Sequence, residues 1–221
     1  MSQDQTLHRI LEGGIVAVVR SESPDLLVEV VRALAEGGVT ASEITLTVPN
    51  AIEVIRKVRD ALGNSIVLGA GSVLDPETAR AALLAGAEYI VGPNLNLDVV
   101  RICRRYGKVV MPGALTPTEV VAAWEAGADV VKIFPSDLGG PPYIKALRAP
   151  LPQVRMMPTG GVDLSTAEAF LKAGACCLGV GGSLVEAKAV AEGDFARLRD
   201  LAGQFSSIVR KFRAATGSPT A

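Results

Sequence analysis

Lys132 stands inside an apolar run, Val130-Val131-Lys132-Ile133-Phe134-Pro135. If the run is a strand, Lys132 shares a face with Val130 and Phe134 and has apolar neighbours on both sides. An ammonium buried there is costly unless it is paired or neutral at the working pH. Two readings follow. Either the stem packs and the amine reaches water, or the amine is desolvated, gives up its proton readily and attacks a carbonyl carbon to form a Schiff base. A carboxylate is available to serve it. In Ser42-Glu43-Ile44-Thr45-Leu46-Thr47 the polar Glu43, Thr45 and Thr47 fall on one face of a strand, Ile44 and Leu46 on the other. In a sheet covered by helices the apolar face meets the helices, so Glu43 points inward. There it acts as a general acid-base, or as the ion-pair partner of Arg20 or Lys132.

Two glycine-rich turns suggest an anion site. Pro158-Thr159-Gly160-Gly161-Val162 and Gly179-Val180-Gly181-Gly182-Ser183-Leu184 each follow a predicted strand. Adjacent glycines let backbone N–H groups converge on phosphate, and a helix beginning near Ser183 would add its positive end. The alternative is a pair of ordinary tight turns. Gly69-Ala70-Gly71-Ser72 offers backbone and a hydroxyl for a substrate carboxylate. Met111-Pro112-Gly113 and Gly92-Pro93-Asn94 read as rigid strand exits, and Trp124 and Tyr143 as packing residues.

Composition removes other chemistries. His8 is the only histidine and precedes the first predicted strand, so histidine-ligated zinc, Ser-His-Asp triads and histidine proton shuttles lack their central residue. With 22 basic and 23 acidic side chains the net charge is -1, which gives no footprint for nucleic acid or a membrane surface. A mean hydropathy of +0.35 reflects abundant Ala and Val, because Gly, Pro or charge interrupts each apolar run before the roughly 20 residues a membrane helix needs. The N-terminus carries acids and no signal-like run, and the three cysteines are an odd number in a chain too large to need disulfide staples. Both predict a cytoplasmic protein. Cys176 and Cys177, as neighbours in a strand, should face opposite ways and act as core.

These residues are carried by a regular alternation. Val- and Ile-rich runs at 15–20, 42–47, 66–70, 89–92, 109–112, 130–134, 154–157 and 176–180 alternate with Ala-rich amphipathic segments. Ala-Glu-Gly-Gly at 35–38 and Ala-Gly-Ala at 85–87, 126–128 and 173–175 suit glycine C-caps. Asp75-Pro76-Glu77, Thr116-Pro117-Thr118-Glu119 and Asp163 with Ser165 read as helix starts. Eight βα units predict a single (β/α)8 TIM barrel over 1–221, an open doubly wound sheet being the alternative. The first dozen residues form an extra N-terminal helix whose Leu7, Ile10 and Leu11 cover the N-terminal end of the barrel. The tail after Thr216 is expected to fray.

The chain resembles the class I 2-keto-3-deoxy-6-phosphogluconate / 4-hydroxy-2-oxoglutarate aldolase family over nearly its whole length. Glu43 in Glu-Ile-Thr-Leu, Gly69-Ala-Gly-Ser-Val, Pro93, Pro112-Gly, Val131-Lys-Ile-Phe-Pro, Pro158-Thr-Gly-Gly-Val and Gly181-Gly-Ser-Leu-Val occur in the family's order and at similar spacings. The resemblance implies Lys132 as the Schiff-base lysine and Glu43 as the general acid-base. Ser72 stands where many members have Thr and meets the pyruvyl carboxylate. Pro93 and Phe134 line the substrate site, while Thr159, Gly160, Gly161, Gly182 and Ser183 contact carboxylate or phosphate. Thr47 stands where many members carry Arg, and Arg20 or Lys145 is positioned in sequence to supply that charge.

The implied reaction cleaves 2-keto-3-deoxy-6-phosphogluconate to pyruvate and glyceraldehyde 3-phosphate, an Entner-Doudoroff step. Alternatives are 4-hydroxy-2-oxoglutarate or 2-keto-3-deoxy-6-phosphogalactonate as substrate, a phosphate-binding isomerase or epimerase, or an inactive barrel kept as an oligomer subunit. No metal or organic cofactor is called for, and the family implies a homotrimer.

Overall fold

The computed structural model describes residues 1–216, and the fraying expected after Thr216 lies outside them. Helix α1 (Gln3–Gly13) leads into β1 (Ile15–Val19), α2 (Leu27–Glu36), β2 (Ala41–Thr45), α3 (Ala51–Leu62), β3 (Val67–Gly71), α4 (Pro76–Leu84), β4 (Tyr89–Val91), α5 (Leu97–Arg105) and β5 (Val109–Met111). There follow β6 (Gly113–Ala114), α6 (Pro117–Glu125), β7 (Val131–Ile133), α7 (Gly140–Arg148), β8 (Met156–Pro158), α8 (Ala167–Lys172), β9 (Leu178–Val180), α9 (Ala187–Glu192) and α10 (Phe195–Thr216).

The fold is mixed α/β. A curled six-stranded parallel sheet has the order β5-β4-β3-β2-β1-β9, and β6-β7-β8 form a second parallel sheet of three strands. Pro112 alone separates β5 from β6. It has no N–H to give, but its carbonyl accepts from the Lys132 N–H at 2.9 Å. The chain therefore continues as strand where an exit was expected. At the other edge Thr159 bridges in parallel to Gly179.

The two faces of the strands bury different things. Ile15, Ala17, Val19, Ile44, Leu68, Ile90 and Ile133 belong to the large core shared with the helices. Their neighbours Val16, Ala41, Val67, Tyr89, Met111, Val130, Met157 and Cys177 form an inner cluster with Ile10 and Leu11 of α1. This is the two-residue period of a strand covered on one side by helices. Helix α1 opens with a Ser2–Gln5 capping box and is pinned by Gln3, which donates to Asp129 at 2.9 Å, and by the Met1 amine 3.3 Å from Glu88. It plugs the N-terminal end of the inner face, as its apolar positions predict. Gly38, Gly86, Gly127 and Gly174 end four helices with φ of 96°, 112°, 94° and 100°, a left-handed geometry that only glycine adopts freely.

Three expectations are corrected. β9 begins at Leu178, so Cys176 and Cys177 lie in the preceding bend, where their sulfurs are 3.8 Å apart instead of on opposite faces. Both remain free thiols in or against the inner cluster. Trp124 is 42% exposed on α6 and is not a packing residue. Asp163 caps a bend by accepting from Ser165 and Thr166, and α8 starts only at Ala167. Tyr143 does pack, with its hydroxyl donating to the Leu115 carbonyl. Among the described residues no helix is long and apolar enough to cross a membrane.

Candidate active site

Lys132 is the middle residue of β7, in register with Gly113 and Met157. It is 5% exposed, so its amine does not snorkel to water, and its Nζ lies 4.9 Å from the centre of the Phe134 ring. Burial pulls its amine below the ordinary 10.5; the Glu43 charge opposes this and the Arg20 charge adds to it. A lysine so placed sheds its proton at lower pH than a free one, which is what a nucleophilic amine needs.

Glu43 faces the same interior from β2, where its Cα is in register with Val18 and Gly69. A Cβ at Gly71 would collide with its carboxylate, so glycine there clears the space the carboxylate occupies. It is 1% exposed, and among the described residues neither carboxylate oxygen has a hydrogen-bond partner. Burial holds the carboxyl above the ordinary 4.5, against the weaker opposing charges of Lys132 and Arg20. Among the described residues no cation lies within 4.0 Å of it. The structural ion pair with Lys132 or Arg20 is therefore not formed. What remains is a desolvated carboxyl with both oxygens uncommitted, facing the same interior as a buried amine.

Beyond the strand ends a cavity of about 500 Å³ is lined by Arg20, Phe134, Thr159, Gly160, Gly161, Val162, Gly181, Gly182 and Ser183. The two glycine turns meet there, joined by the Ser183 hydroxyl donating to the Val162 carbonyl at 2.6 Å. Ser136 supports the first turn: its N–H donates to the Thr159 carbonyl at 2.9 Å and its hydroxyl to the Gly160 carbonyl. Among the described residues nothing accepts from the N–H groups of Gly160, Gly161, Val162, Gly182 or Ser183. The helix expected near Ser183 is absent. Residues 181–185 form one turn, with the Leu184 and Val185 N–H groups on the Gly181 carbonyl at 2.9 Å. Helix α9 starts later and carries Glu186, paired with Arg197, at its N-cap. Positive charge at the cavity comes instead from Arg20.

Arg20 also borders a neighbouring cavity of about 610 Å³ with Thr47, Ser21, Ser23 and Val190. Thr47 itself is exposed beyond β2, with its hydroxyl 2.8 Å from that of Thr45. Lys145 is exposed on α7 and lines neither cavity. Ser72 sits just past β3 with φ 58°, and Pro93 follows β4 with its carbonyl against Gly113. Neither Ser72 nor Pro93 lines the glycine-turn cavity. Tyr89 was not anticipated. It is fully buried in the inner cluster, its hydroxyl has no partner among the described residues, and the one available signal was a phenol opening an apolar strand.

The sequence matches the family described as KDPG and KHG aldolase over residues 7–201. It is 39% identical over 174 residues to the 2-dehydro-3-deoxy-6-phosphogalactonate aldolase of Escherichia coli (strain K12), covering 78% of this chain and 85% of that protein. It is 38% identical over 197 residues to the 2-dehydro-3-deoxy-phosphogluconate aldolase of Treponema pallidum (strain Nichols), covering 88% and 93%. The solved structure described as native KDPGal superposes with a TM-score of 0.84 at 36% identity, covering 90% of this chain and 96% of that one. With the match spanning most of its length and the fold shared, this chain belongs to the KDPG and KHG aldolases, a family of carbon–carbon lyases.

Proposed function

We propose that the chain is a Schiff-base aldolase cleaving 2-keto-3-deoxy-6-phosphogluconate to pyruvate and glyceraldehyde 3-phosphate. The observation that carries this reading is the pairing of a desolvated Lys132 with an uncommitted Glu43 in one buried interior. Neutral Lys132 attacks the C2 ketone, and loss of water from the carbinolamine leaves an iminium. Glu43 takes the C4 hydroxyl proton, the C3–C4 bond breaks, and its electron pair enters the iminium to give the enamine. Glyceraldehyde 3-phosphate leaves. A proton returned to C3 regenerates the iminium, and its hydrolysis frees pyruvate and Lys132. The amides of Gly160–Val162, Gly182 and Ser183 hold the phosphate, with Arg20 beside them and Phe134 lining the path between. We assign Ser72 to the pyruvyl carboxylate, Pro93 to the wall opposite, and Thr47 to the outer end of the substrate near Arg20.

The galactonate epimer is the second reading, favoured by the 39% identity to the Escherichia coli phosphogalactonate aldolase. The two strand sets are read as arcs of one (β/α)8 barrel and one domain, with β5 and β6 sharing a stave. The Thr159–Gly179 bridge and the common inner cluster support this closure. A homotrimer would cover exposed apolar side chains such as Trp124 and Leu138, and a cytoplasmic setting suits three free thiols. The test is side-by-side cleavage of the two phosphorylated keto acids and 4-hydroxy-2-oxoglutarate, with pyruvate coupled to lactate dehydrogenase. Preference for a phosphorylated substrate is expected. Release of no pyruvate from any of the three would overturn the proposal.

A further inference from the structure

Tyr89 is 0% exposed, and its hydroxyl is one of the few buried side-chain polar atoms without a partner among the described residues. A buried phenol ordinarily finds one. Its place in the sheet indicates which. Glu43 is in register with Gly69, and Gly69 with Tyr89, so the three form one row across β2, β3 and β4. Gly69 has no side chain, and the hydroxyl-bearing end of the Tyr89 ring occupies the space a Cβ there would need. Two residues further along the same inner face, Gly71 makes the same room for the Glu43 carboxylate.

A phenol and a carboxylate thus occupy adjoining clearings on β3, about 6.6 Å apart along the strand. That is comparable to the roughly 5.5 Å between groups joined by one water through two hydrogen bonds. We infer that the Tyr89 hydroxyl, through one bridging water, donates to the Glu43 carboxylate and positions it from the floor of the site.

Tyr89 is suited to be a constant donor. Burial, and then the charges of Glu43, Cys177 and Glu88, hold its phenol proton far above the ordinary range. Glu43 is faced also by Lys132 from β7 and by Arg20 from the end of β1. Both stay in place when the phenol oxygen is removed. A donor lost from an anion leaves that anion easier to protonate.

The test is Tyr89→Phe, which keeps the ring and deletes an oxygen that no group among the described residues holds. The acid limb of the kcat profile should move up by about one pH unit, with kcat at the plateau lower by roughly 3- to 10-fold and KM little changed. A purely structural hydroxyl would alter Tm and leave that limb where it was, which would overturn the inference. The inference rests on Glu43 as the base, so Glu43→Gln is measured in parallel. If Glu43→Gln abolishes turnover while the Tyr89→Phe limb stays fixed, only the tyrosine's role fails. If Glu43→Gln keeps turnover, the base assignment fails and the role of Tyr89 falls with it.

Discussion

Gly182→Val separates recognition of phosphate from integrity of the fold. Gly182 is exposed, its φ lies outside the left-handed region, and a Cβ there would meet nothing within 4 Å. A substitution of that kind shifts stability by no more than about 0.5 kcal/mol, or roughly 1–2 °C in Tm at this chain length. The side chain would nevertheless stand in the cavity onto which the free amides of both turns open. Each hydrogen bond to a charged group contributes about 1.5–3 kcal/mol, so displacing phosphate from one amide should lower kcat/KM by about 10- to 150-fold. Gly161→Ala is the contrast. Its φ of 69° and the Asp137 Cβ only 2.8 Å from the new methyl make that change a structural one. It should cost about 1–2 kcal/mol, or roughly 2–8 °C. Steady-state kinetics with a phosphorylated keto acid and with 4-hydroxy-2-oxoglutarate, alongside thermal melts, read all of this. Equal losses on both substrates for Gly182→Val, or no loss on the phosphorylated one, would refute the placement.

Glu43→Gln should lower turnover by about 10²- to 10⁴-fold with the circular dichroism spectrum unchanged; turnover within a few-fold of the parent would contradict its role as base. Burial raises the Glu43 carboxyl above 4.5 and lowers the Lys132 amine below 10.5. The acid limb of the pH–rate profile should therefore lie above pH 4.5 and lose its Glu43 component in Glu43→Gln, leaving the one set by protonation of Lys132, as initial rates across pH will show. Thr116→Ala removes the capping box with Glu119 at the start of α6. It should cost about 1 kcal/mol, or roughly 2–4 °C. The backbone N–H groups of Thr116 and Leu115, and then the Thr116 hydroxyl, hold the Glu119 carboxyl below 4.5, and only the hydroxyl's contribution is lost in Thr116→Ala. That contribution is present above pH 4.5 and fades as pH falls through the folded value, so the Tm gap between parent and Thr116→Ala should narrow in acid.

The alternation of elements was legible because strand and helix periods differ and each element is apolar on a defined face. The inward placement of Glu43 was legible for the same reason, and Lys132 stood out as a charge in an apolar strand, which is an exposed stem, a paired ion or a buried group with other work; the structure buries both. The glycine turns were visible as composition. What failed depended on where strands stop and turns begin. Cys176 and Cys177 face each other because β9 starts one residue after them. Ser183 lies in a single turn, since residues 181–185 close on the Gly181 carbonyl before α9 begins. Pro112 ends β5, yet the chain re-enters a strand at Gly113, in the second sheet. Arg20, named from sequence as a candidate for the charge missing at Thr47, borders the glycine-turn cavity although it is distant in sequence from both turns, a proximity set by the pairing of β1 with β9. Tyr89 required knowing the register that places it beside Gly69 and in one row with Glu43.

The central claim is that Lys132 carries the substrate as a Schiff base. Incubation with pyruvate and borohydride, followed by peptide mapping, tests it most directly, because a reduced imine is a permanent mark on the nitrogen that formed it. The expected result is loss of activity with one reduced pyruvyl adduct on Lys132, absent when either reagent is omitted. An adduct confined to other lysines, or inactivation without any adduct, would contradict it.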